Sequence, residues 1–367
     1  MSNLKIIDFD FDDKLLKKFI NFGYDIYKND NKFIPPFRKK IEFELSNKNP
    51  FFNDRIIRNF IIYDDNIIKG RISAIINKNL TNIGYIGYFE CVDDYEIAKI
   101  LLDNVIEFLK RNNIKEINAP INFSTWNKYR FVTEGFDNES FILEPYNHKY
   151  YALFFEKYGF TLLKNYYSNI VTDIEREMTK IERIKEKALQ NGYYIRNIDL
   201  KKVDEELLLL YNLTIEIFKN NFAYTEIDFD DFKNLYSGLN YMIKPEYLLF
   251  AYDKNNNACG FLFGMPDYSL AFKKMNGKSD IFSKLKFLFY RDKAECFIMK
   301  TFGVKKTALF SGVGSLLVYT MYKNMKKNGF SKGIHALMIE NNSSRKYGLG
   351  TTNIIKKYSF YKYEVLQ

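Results

Sequence analysis

Cysteine and histidine are scarce in this chain, and their scarcity excludes several kinds of site. The 367 residues include three cysteines and two histidines. Cys91, Cys259 and Cys296 have no CxxC spacing, and each lies in an apolar strand-like run where cysteine is usually a small core residue. His148 and His335 are far apart in sequence, so a histidine-based metal site and a Ser–His triad both lack support. We therefore expect no disulfide framework and no metal site.

Long apolar runs and concentrated charge are also missing. No segment approaches about 18 uninterrupted apolar residues, and the first residues contain no apolar signal-peptide core. We therefore expect a cytoplasmic protein. The formal net charge is +10, but the 55 basic residues are interleaved with 45 acidic ones. Because nucleic-acid-binding proteins generally concentrate basic residues on a stripe or an arm, no nucleic-acid partner is expected.

The stretch from 297 to 329 has the pattern of a strand, a glycine turn and a helix. Its apolar run leads into Gly312-Val-Gly314, and the residues that follow are apolar at helical spacing. Glycines before a helix let a ligand approach the backbone, and the unpaired first-turn N–H groups attract anions. The stretch predicts a phosphate or pyrophosphate site. It matches neither a P-loop nor the dinucleotide-binding fingerprint, and a plain tight connection remains the alternative.

The second half of the chain repeats the pattern of the first. Each half has a predicted β-hairpin, at 60–74 and 249–264, followed later by a helix end, a strand and an Asn-rich turn. The length also suggests two domains. We predict tandem copies of one α/β fold at 1–172 and 192–367, joined by a charged linker helix at 173–191. Chance similarity of strand–turn–strand units is the alternative.

The order of these elements resembles that of the GNAT superfamily of acyl-CoA N-acyltransferases. Nearly the whole chain is also similar to a bacterial group of tandem GNAT proteins. The segments that carry this similarity are 49–52, 70–72, 87–90, 119–124, 134–137, 145–147 and 150–151 in the first half, and 266–267, 274–277, 300–304 and 340–344 in the second. The resemblance implies two GNAT-like domains, each a mixed, mostly antiparallel sheet with flanking helices.

The resemblance also implies a cofactor, acetyl-CoA or another acyl-CoA, in the C-terminal domain. In GNAT proteins the backbone amides after the fourth strand hold the coenzyme A pyrophosphate. Here the glycines match, Leu309 replaces the usual basic residue, and Lys305 or Lys306 is the candidate source of charge. The implied cofactor-binding residues are Phe302, Val304, Lys305, Ser311, Gly312, Val313, Gly314, Ser315 and Asn342. The matching segment of the first half, 90–94, is acidic and has no G-x-G, so no cofactor is expected there.

Acyl transfer to an amine needs a base, support for the oxyanion and a proton for the leaving thiolate. GNAT enzymes often use a strand carboxylate as base and a tyrosine after the Asn turn as acid. Asp267 and Glu340 are the base candidates, and we expect them on the same edge of the sheet. Tyr347 is the acid candidate, although the usual position falls on Leu349. For each carboxylate the alternative is a helix cap or a lysine partner.

The segment from 125 to 151 is long, aromatic and aperiodic, which is typical of functional loops. Polar and aromatic residues in and near it are predicted to line an acceptor pocket that faces the second domain. They are Asn122, Ser124, Glu134, Asp137, Tyr146, Asn147, Tyr150 and Tyr151. The alternative is a loop that packs on itself and is held by its own hydrogen bonds.

A basic and aromatic insert at 270–293 interrupts the second half. A membrane-surface helix, a lid and packing at the domain junction all suit its composition, but its apolar residues fit burial, so membrane contact is not expected.

The sequence, through its resemblance to GNAT proteins, predicts an acyl-CoA-dependent N-acyltransferase that transfers an acetyl or other acyl group, not an aminoacyl group, to a small-molecule or peptide amine. The alternatives are a catalytically silent acyl-CoA-binding protein and an aminoacyl-tRNA-dependent transferase. The oligomeric state stays open.

Overall fold

The computed structural model describes residues 4–236, 243–341, 345, 347 and 352–365. The chain forms two compact units: unit 1 contains Met1–Tyr166, Tyr268–Lys293 and Lys356–Gln367, and unit 2 contains Tyr167–Asp267 and Ala294–Ile355. The linear division at 172 and 191 stays a prediction. The units themselves are not continuous in sequence, because the insert and the C-terminal residues group with unit 1.

The strands and helices follow one another in a mixed α/β order. The strands are β1 (Leu4–Phe9), β2 (Arg55–Asp64), β3 (Ile67–Asn77), β4 (Ile83–Cys91), β5 (Glu116–Ala119), β6 (Phe131–Glu134), β7 (Thr161–Val171), β8 (Tyr194–Asn197), β9 (Leu248–Tyr252), β10 (Ala258–Pro266), β11 (Cys296–Val304), β12 (Lys332–Ile339) and β13 (Thr352–Glu364). The helices are α1 (Asp13–Asp25), α2 (Arg38–Glu44), α3 (Tyr95–Arg111), α4 (Tyr150–Tyr158), α5 (Ile174–Gln190), α6 (Val203–Phe218), α7 (Phe229–Leu235), α8 (Ser269–Met275), α9 (Ile281–Tyr290) and α10 (Val313–Lys327). Both predicted hairpins are confirmed, as β2/β3 and β9/β10.

Each unit has a mostly antiparallel sheet that includes a parallel pair of strands. In unit 1, β1, β2, β3 and β4 pair in that order, and β4 runs parallel to β5 over Ile83–Tyr85. In unit 2, β8, β9, β10 and β11 pair in that order, and β11 runs parallel to β12 over 296–299. In both units the first strand of the parallel pair continues past the paired residues, which leaves its end facing the following helix and loops.

The helix that connects the two strands of each parallel pair packs its apolar face on the sheet. In α3 the predicted face is buried, and in α10 Leu317, Val318 and Met321 are buried in the unit 2 core. Both helices are therefore confirmed. Helix α5 also forms as predicted, and its Ile181 and Ala188 are buried, Ile181 within the same core cluster as α10. It packs as part of unit 2 and does not stand free as a spacer.

The insert forms α8 and α9 within unit 1, and its burial is only partly as expected. Ala271, Phe272 and Met275 of α8 are buried, but most apolar side chains of α9 are exposed. The expectation of burial is wrong for α9, because composition does not show which side of a helix faces the protein. No helix in the described part of the chain is long and apolar enough to cross a membrane.

Candidate functional site

The predicted strand–turn–helix connection in unit 2 is confirmed. Strand β11 ends at Val304, a short 3₁₀ turn covers Lys306–Ala308, and α10 begins at Val313. Gly312 occupies the N-cap position with φ +84°. Because glycine has no side chain, the N-cap residue cannot accept a hydrogen bond from the first-turn N–H groups. The first turn of α10 contains no acidic residue. The positive end of the helix dipole is therefore not neutralised by a local carboxylate.

Close packing also explains why both residues at this helix start are glycines. A Cβ atom on Gly312 would lie 2.7 Å from the Ile184 carbonyl oxygen of α5, and one on Gly314 would lie 2.8 Å from the Tyr347 Oη. A side chain at either position would displace a neighbour, and at Gly312 it would also have to adopt a left-handed backbone. The two glycines thus permit close approach of protein atoms from α5 and from Tyr347.

Tyr347 lies beside the first turn of α10. Its Oη is 3.3 Å from the Ser315 Oγ, and its ring meets Phe302 edge to face at 5.8 Å. Burial raises the pKa of Tyr347, so the phenol keeps its proton at neutral pH. Four predicted site residues, Phe302, Gly314, Ser315 and Tyr347, therefore come together at this helix start.

The other residues of the turn have more local roles. The Ser311 hydroxyl donates to the Ala308 carbonyl and accepts from the Val313 N–H, so it braces the turn. The Val313 side chain is fully buried, which leaves only its backbone for a ligand. Lys305 forms a 2.7 Å ion pair with Glu216, while Lys306 is exposed. Such a surface pair contributes at most about 1 kcal/mol, so a phosphate could replace the carboxylate.

The base candidates lie at opposite ends of the strands of the unit 2 sheet. This corrects the expectation that both lie at the same edge of the sheet. The Asp267 N–H donates to the Cys296 carbonyl, where β11 begins. Cys296 pairs with Lys332 at the start of β12, and Glu340 follows the end of β12. Roughly 25 Å of extended strand separates the two levels. Because β10 runs antiparallel to β11, Asp267 lies at the end of the strands away from the start of α10. Glu340 lies at the same end of the strands as the start of α10.

His335 is a core residue with a hydrogen-bond partner. It is buried in β12, and its Nε2 is 2.8 Å from the Tyr322 hydroxyl. Burial lowers the pKa of His335 to about 4, so the ring is neutral at physiological pH. Asn342, predicted to contact the cofactor, lies outside the described residues.

The matching helix start in unit 1 is arranged differently. Asp94 caps α3, and its Oδ1 accepts hydrogen bonds from the N–H groups of Glu96 at 2.9 Å and Ile97 at 3.4 Å. A carboxylate at the N-terminus stabilises a helix through both the cap and the dipole. The same carboxylate occupies the amides and the positive potential that a pyrophosphate would use.

At the end of β4, unit 1 has a buried polar cluster around Glu90. The Glu90 Oε2 accepts hydrogen bonds from the Tyr27 hydroxyl at 2.6 Å and the Tyr151 hydroxyl at 2.9 Å. The Arg71 guanidinium is 3.6 Å from the other carboxylate oxygen. All four side chains are buried, and burial together with the nearby Glu90 charge raises the pKa of Tyr27 and Tyr151 far above the usual tyrosine value.

An aromatic stack adjoins this cluster. The His148 ring lies parallel to Tyr27 at 4.6 Å and to Tyr150 at 5.2 Å. Tyr146 packs against Tyr27, and its hydroxyl donates to Asp30. Of the eight predicted acceptor residues, Tyr146, Tyr150 and Tyr151 therefore belong to one polar and aromatic group.

The other five predicted acceptor residues have structural partners. Asn122 accepts from the Tyr88 N–H, Asn147 bridges the Val132 N–H and carbonyl, and the buried Ser124 closes a turn. Glu134 and Asp137 lie at the surface of unit 1: Glu134 pairs with Lys357, and the Asp137 carbonyl accepts from Lys32. The alternative of a loop held by its own hydrogen bonds therefore describes only part of this segment, because Tyr88, Lys357 and Lys32 lie outside it.

Three members of the Glu90 cluster were not predicted as site residues. Arg71 and Glu90 lie in segments that carry the family resemblance, 70–72 and 87–90, so the sequence did contain a signal for them. Tyr27 lies in no such segment and reaches Glu90 across 63 positions of the chain.

Among the described residues, no group of three or more His, Cys, Asp or Glu side chains could hold a metal ion.

Solved structures define the class of fold. The chain superposes on a tandem GNAT protein from the clavulanic acid biosynthesis pathway with a TM-score of 0.57 and 9% identity, covering all of this chain and 99% of that one. It also matches a GCN5-related glucosamine N-acetyltransferase region of a fungal multi-domain protein, with a TM-score of 0.59 and 15% identity; the match covers 99% of this chain but only 38% of that one. The chain therefore has the tandem GNAT fold, a mixed, mostly antiparallel α/β architecture.

Two curated proteins are similar in sequence over most of their length. Protein YghO of Escherichia coli (strain K12) is 22% identical over 334 residues, which cover 88% of this chain and 84% of that protein. Bacterial ceramide synthase of Caulobacter vibrioides (strain NA1000 / CB15N) is 22% identical over 328 residues, which cover 87% and 85%. No protein-family model matches the chain.

Proposed function

We propose that the protein is an acyl-CoA-dependent N-acyltransferase with its cofactor at the start of α10. The observation that carries this proposal is the meeting of Phe302, Gly314, Ser315 and Tyr347 at a helix N-terminus without a carboxylate cap. The first-turn amides and the Gly312 backbone would hold the pyrophosphate of acetyl-CoA or another acyl-CoA. Lys305 and Lys306 would add positive charge.

When bound, an acyl-CoA would supply an acyl group activated as a thioester. We assign Tyr347 the role of proton donor to the leaving thiolate, because its buried phenol stays protonated at neutral pH. Glu340 is the base candidate on the same edge of the sheet, and it would accept a proton from the attacking amine. The tandem GNAT fold supports acyl transfer in general, and transfer of groups other than aminoacyl is the specific proposal.

The acceptor is proposed to be a small-molecule amine. The relative named bacterial ceramide synthase supports a lipid-like acceptor, since a ceramide is a long-chain amino alcohol with an acyl group on its nitrogen. A long-chain amino alcohol is therefore the first acceptor to test, ahead of sugar and peptide amines.

Calorimetric titration with acetyl-CoA and long-chain acyl-CoA tests the cofactor, and thiol release with a panel of amines tests the reaction. We expect binding, and release that depends on the amine. Binding without release would indicate a silent acyl-CoA-binding protein, and no binding would contradict the proposal. Tyr347→Phe should lower kcat about a hundredfold with little change in cofactor affinity. Tyr319→Phe is the control: it removes the hydroxyl of a partly buried tyrosine on α10 that packs beside Lys185 of α5, and it should retain activity.

A further inference from the structure

Helix α9 presents an apolar face to solvent, away from the side that packs on unit 1. Ser283 is buried, and Phe287 packs on Tyr268 at 5.2 Å and on Phe272 at 6.0 Å. These contacts fix the orientation of the helix. The apolar residues that remain exposed are Ile281 at 70%, Phe282 at 74%, Leu285 at 57%, Leu288 at 50% and Phe289 at 66%.

The exposed residues form one continuous stripe. At about 100° per residue, the five apolar positions fall within an arc of about 120°. Lys284 and Lys286 flank this arc, each about 40° beyond one of its borders. Both lysines are exposed. An apolar stripe with a lysine on each side is the arrangement of a helix that lies in a membrane interface, with its lysines reaching the headgroups.

The charge around α9 indicates which surface it suits. Residues 268–293 contain seven basic and two acidic side chains. Lys293 lies 4.9 Å from the centre of the Phe289 ring, so positive charge adjoins the apolar stripe directly. A basic surface of this kind is attracted to anionic lipids, and each lysine near such a membrane adds to the affinity.

We propose that α9 docks the protein on the surface of an anionic phospholipid bilayer. The stripe of Ile281, Phe282, Leu285, Leu288 and Phe289 enters the boundary between headgroups and acyl chains, and Lys284 and Lys286 contact lipid phosphates. The ten residues of α9 extend about 15 Å, half the thickness of a hydrocarbon core, so the helix lies on the membrane and does not span it. The proposal is independent of acyl transfer and stands or falls without it.

Vesicle flotation with the full-length protein tests this docking. Wild type should float with phosphatidylcholine vesicles that contain about 30% phosphatidylglycerol, and should bind pure phosphatidylcholine about tenfold more weakly. The Phe282→Glu/Phe289→Glu double variant should lose at least about tenfold in affinity for the anionic vesicles. Lys284→Glu/Lys286→Glu should abolish the preference for anionic lipid.

A matched control separates the α9 stripe from exposed apolar residues in general. Leu153 and Leu162 of unit 1 are 60% and 53% exposed but lie on α4 and β7. Leu153→Glu/Leu162→Glu should float like wild type, and all variants should keep the wild-type circular dichroism and Tm because every altered side chain is exposed.

Three results would overturn the proposal. The first is wild type that floats with neither type of vesicle. The second is an equal loss of affinity in the control pair and in the α9 pair. The third is a wild-type dimer that Phe282→Glu/Phe289→Glu converts to monomer without any effect on lipid binding, because a second copy of the chain would then cover the stripe.

Discussion

The two units place opposite chemistry at the start of the helix that connects their two parallel strands. In unit 1, Asp94 supplies a carboxylate that accepts two amides of α3. In unit 2, Gly312 supplies only backbone, and α10 has no acid in its first turn. The penultimate residue of the preceding strand differs in the same sense, Glu90 in β4 and Gly303 in β11. One copy of the fold caps its helix start with a carboxylate, and the other does not.

The largest effect is expected when α10 is given the acid that α3 has. Ser311→Asp keeps an acceptor for the Val313 N–H and adds a negative charge beside the proposed pyrophosphate site. A unit charge about 5 Å from a phosphate costs about 3 kcal/mol at an effective dielectric constant of about 20, so acyl-CoA affinity should fall at least about a hundredfold. Calorimetric titration measures the change.

Ser311→Asn is the matched control, because it has almost the same shape without the charge. Its affinity should stay within a few-fold of wild type. Equal weakening in both variants would show that the turn geometry matters and the charge does not, and the comparison of the two helix starts would then lose its electrostatic basis.

A second prediction concerns the strand ends. Glu90→Gln keeps the side-chain shape but leaves the buried Arg71 without its counter-charge, and should lower the free energy of unfolding by about 3 kcal/mol. Acyl-CoA affinity should not change, because the Glu90 cluster lies in unit 1 and the proposed cofactor site lies in unit 2. Urea unfolding measures the loss, and the exposed Glu107→Gln, which breaks only a surface pair with Arg111, should cost less than about 0.5 kcal/mol.

A third prediction sets the pH range in which the unit 2 core is intact. Because the pKa of the buried His335 is lowered to about 4, the unfolded chain binds one more proton than the folded chain between about pH 6.5 and 4. The contribution of His335 to the free energy of unfolding should therefore fall as the pH falls through this range, by up to about 3 kcal/mol. It should not change above about pH 7.

His335→Gln removes the titration and should flatten this part of the stability curve, measured as Tm against pH. An equally steep curve in the variant would assign the acid sensitivity to other groups. Binding assays that compare the two helix starts should be run above about pH 7, where His335 is neutral in both the folded and the unfolded chain.

Local patterns predicted the elements of the fold, and long-range geometry limited the prediction of the site. The apolar spacing of α3 and α10 and the glycines at 312 and 314 are properties of short segments, and those elements form as expected. The edge occupied by Asp267 depends on the antiparallel direction of β10, which no local pattern records. The contact of Tyr27 with Glu90 and the outward face of α9 likewise depend on how distant segments pack. Periodicity shows that a helix has two faces, but the neighbours decide which face is buried.

The smallest expected effect sharpens the comparison from the side of unit 1. Asp94→Ala removes the side chain that caps α3 and should lower the free energy of unfolding by about 1 kcal/mol, whereas Asp94→Asn, which keeps a capping oxygen, should cost only a few tenths. Urea unfolding measures both. Neither variant should create acyl-CoA binding in unit 1, because α3 would still lack the glycine turn that lets a pyrophosphate approach the backbone. A new binding stoichiometry in Asp94→Ala would show that the carboxylate alone distinguishes the two helix starts, and that the backbone of unit 1 is already competent.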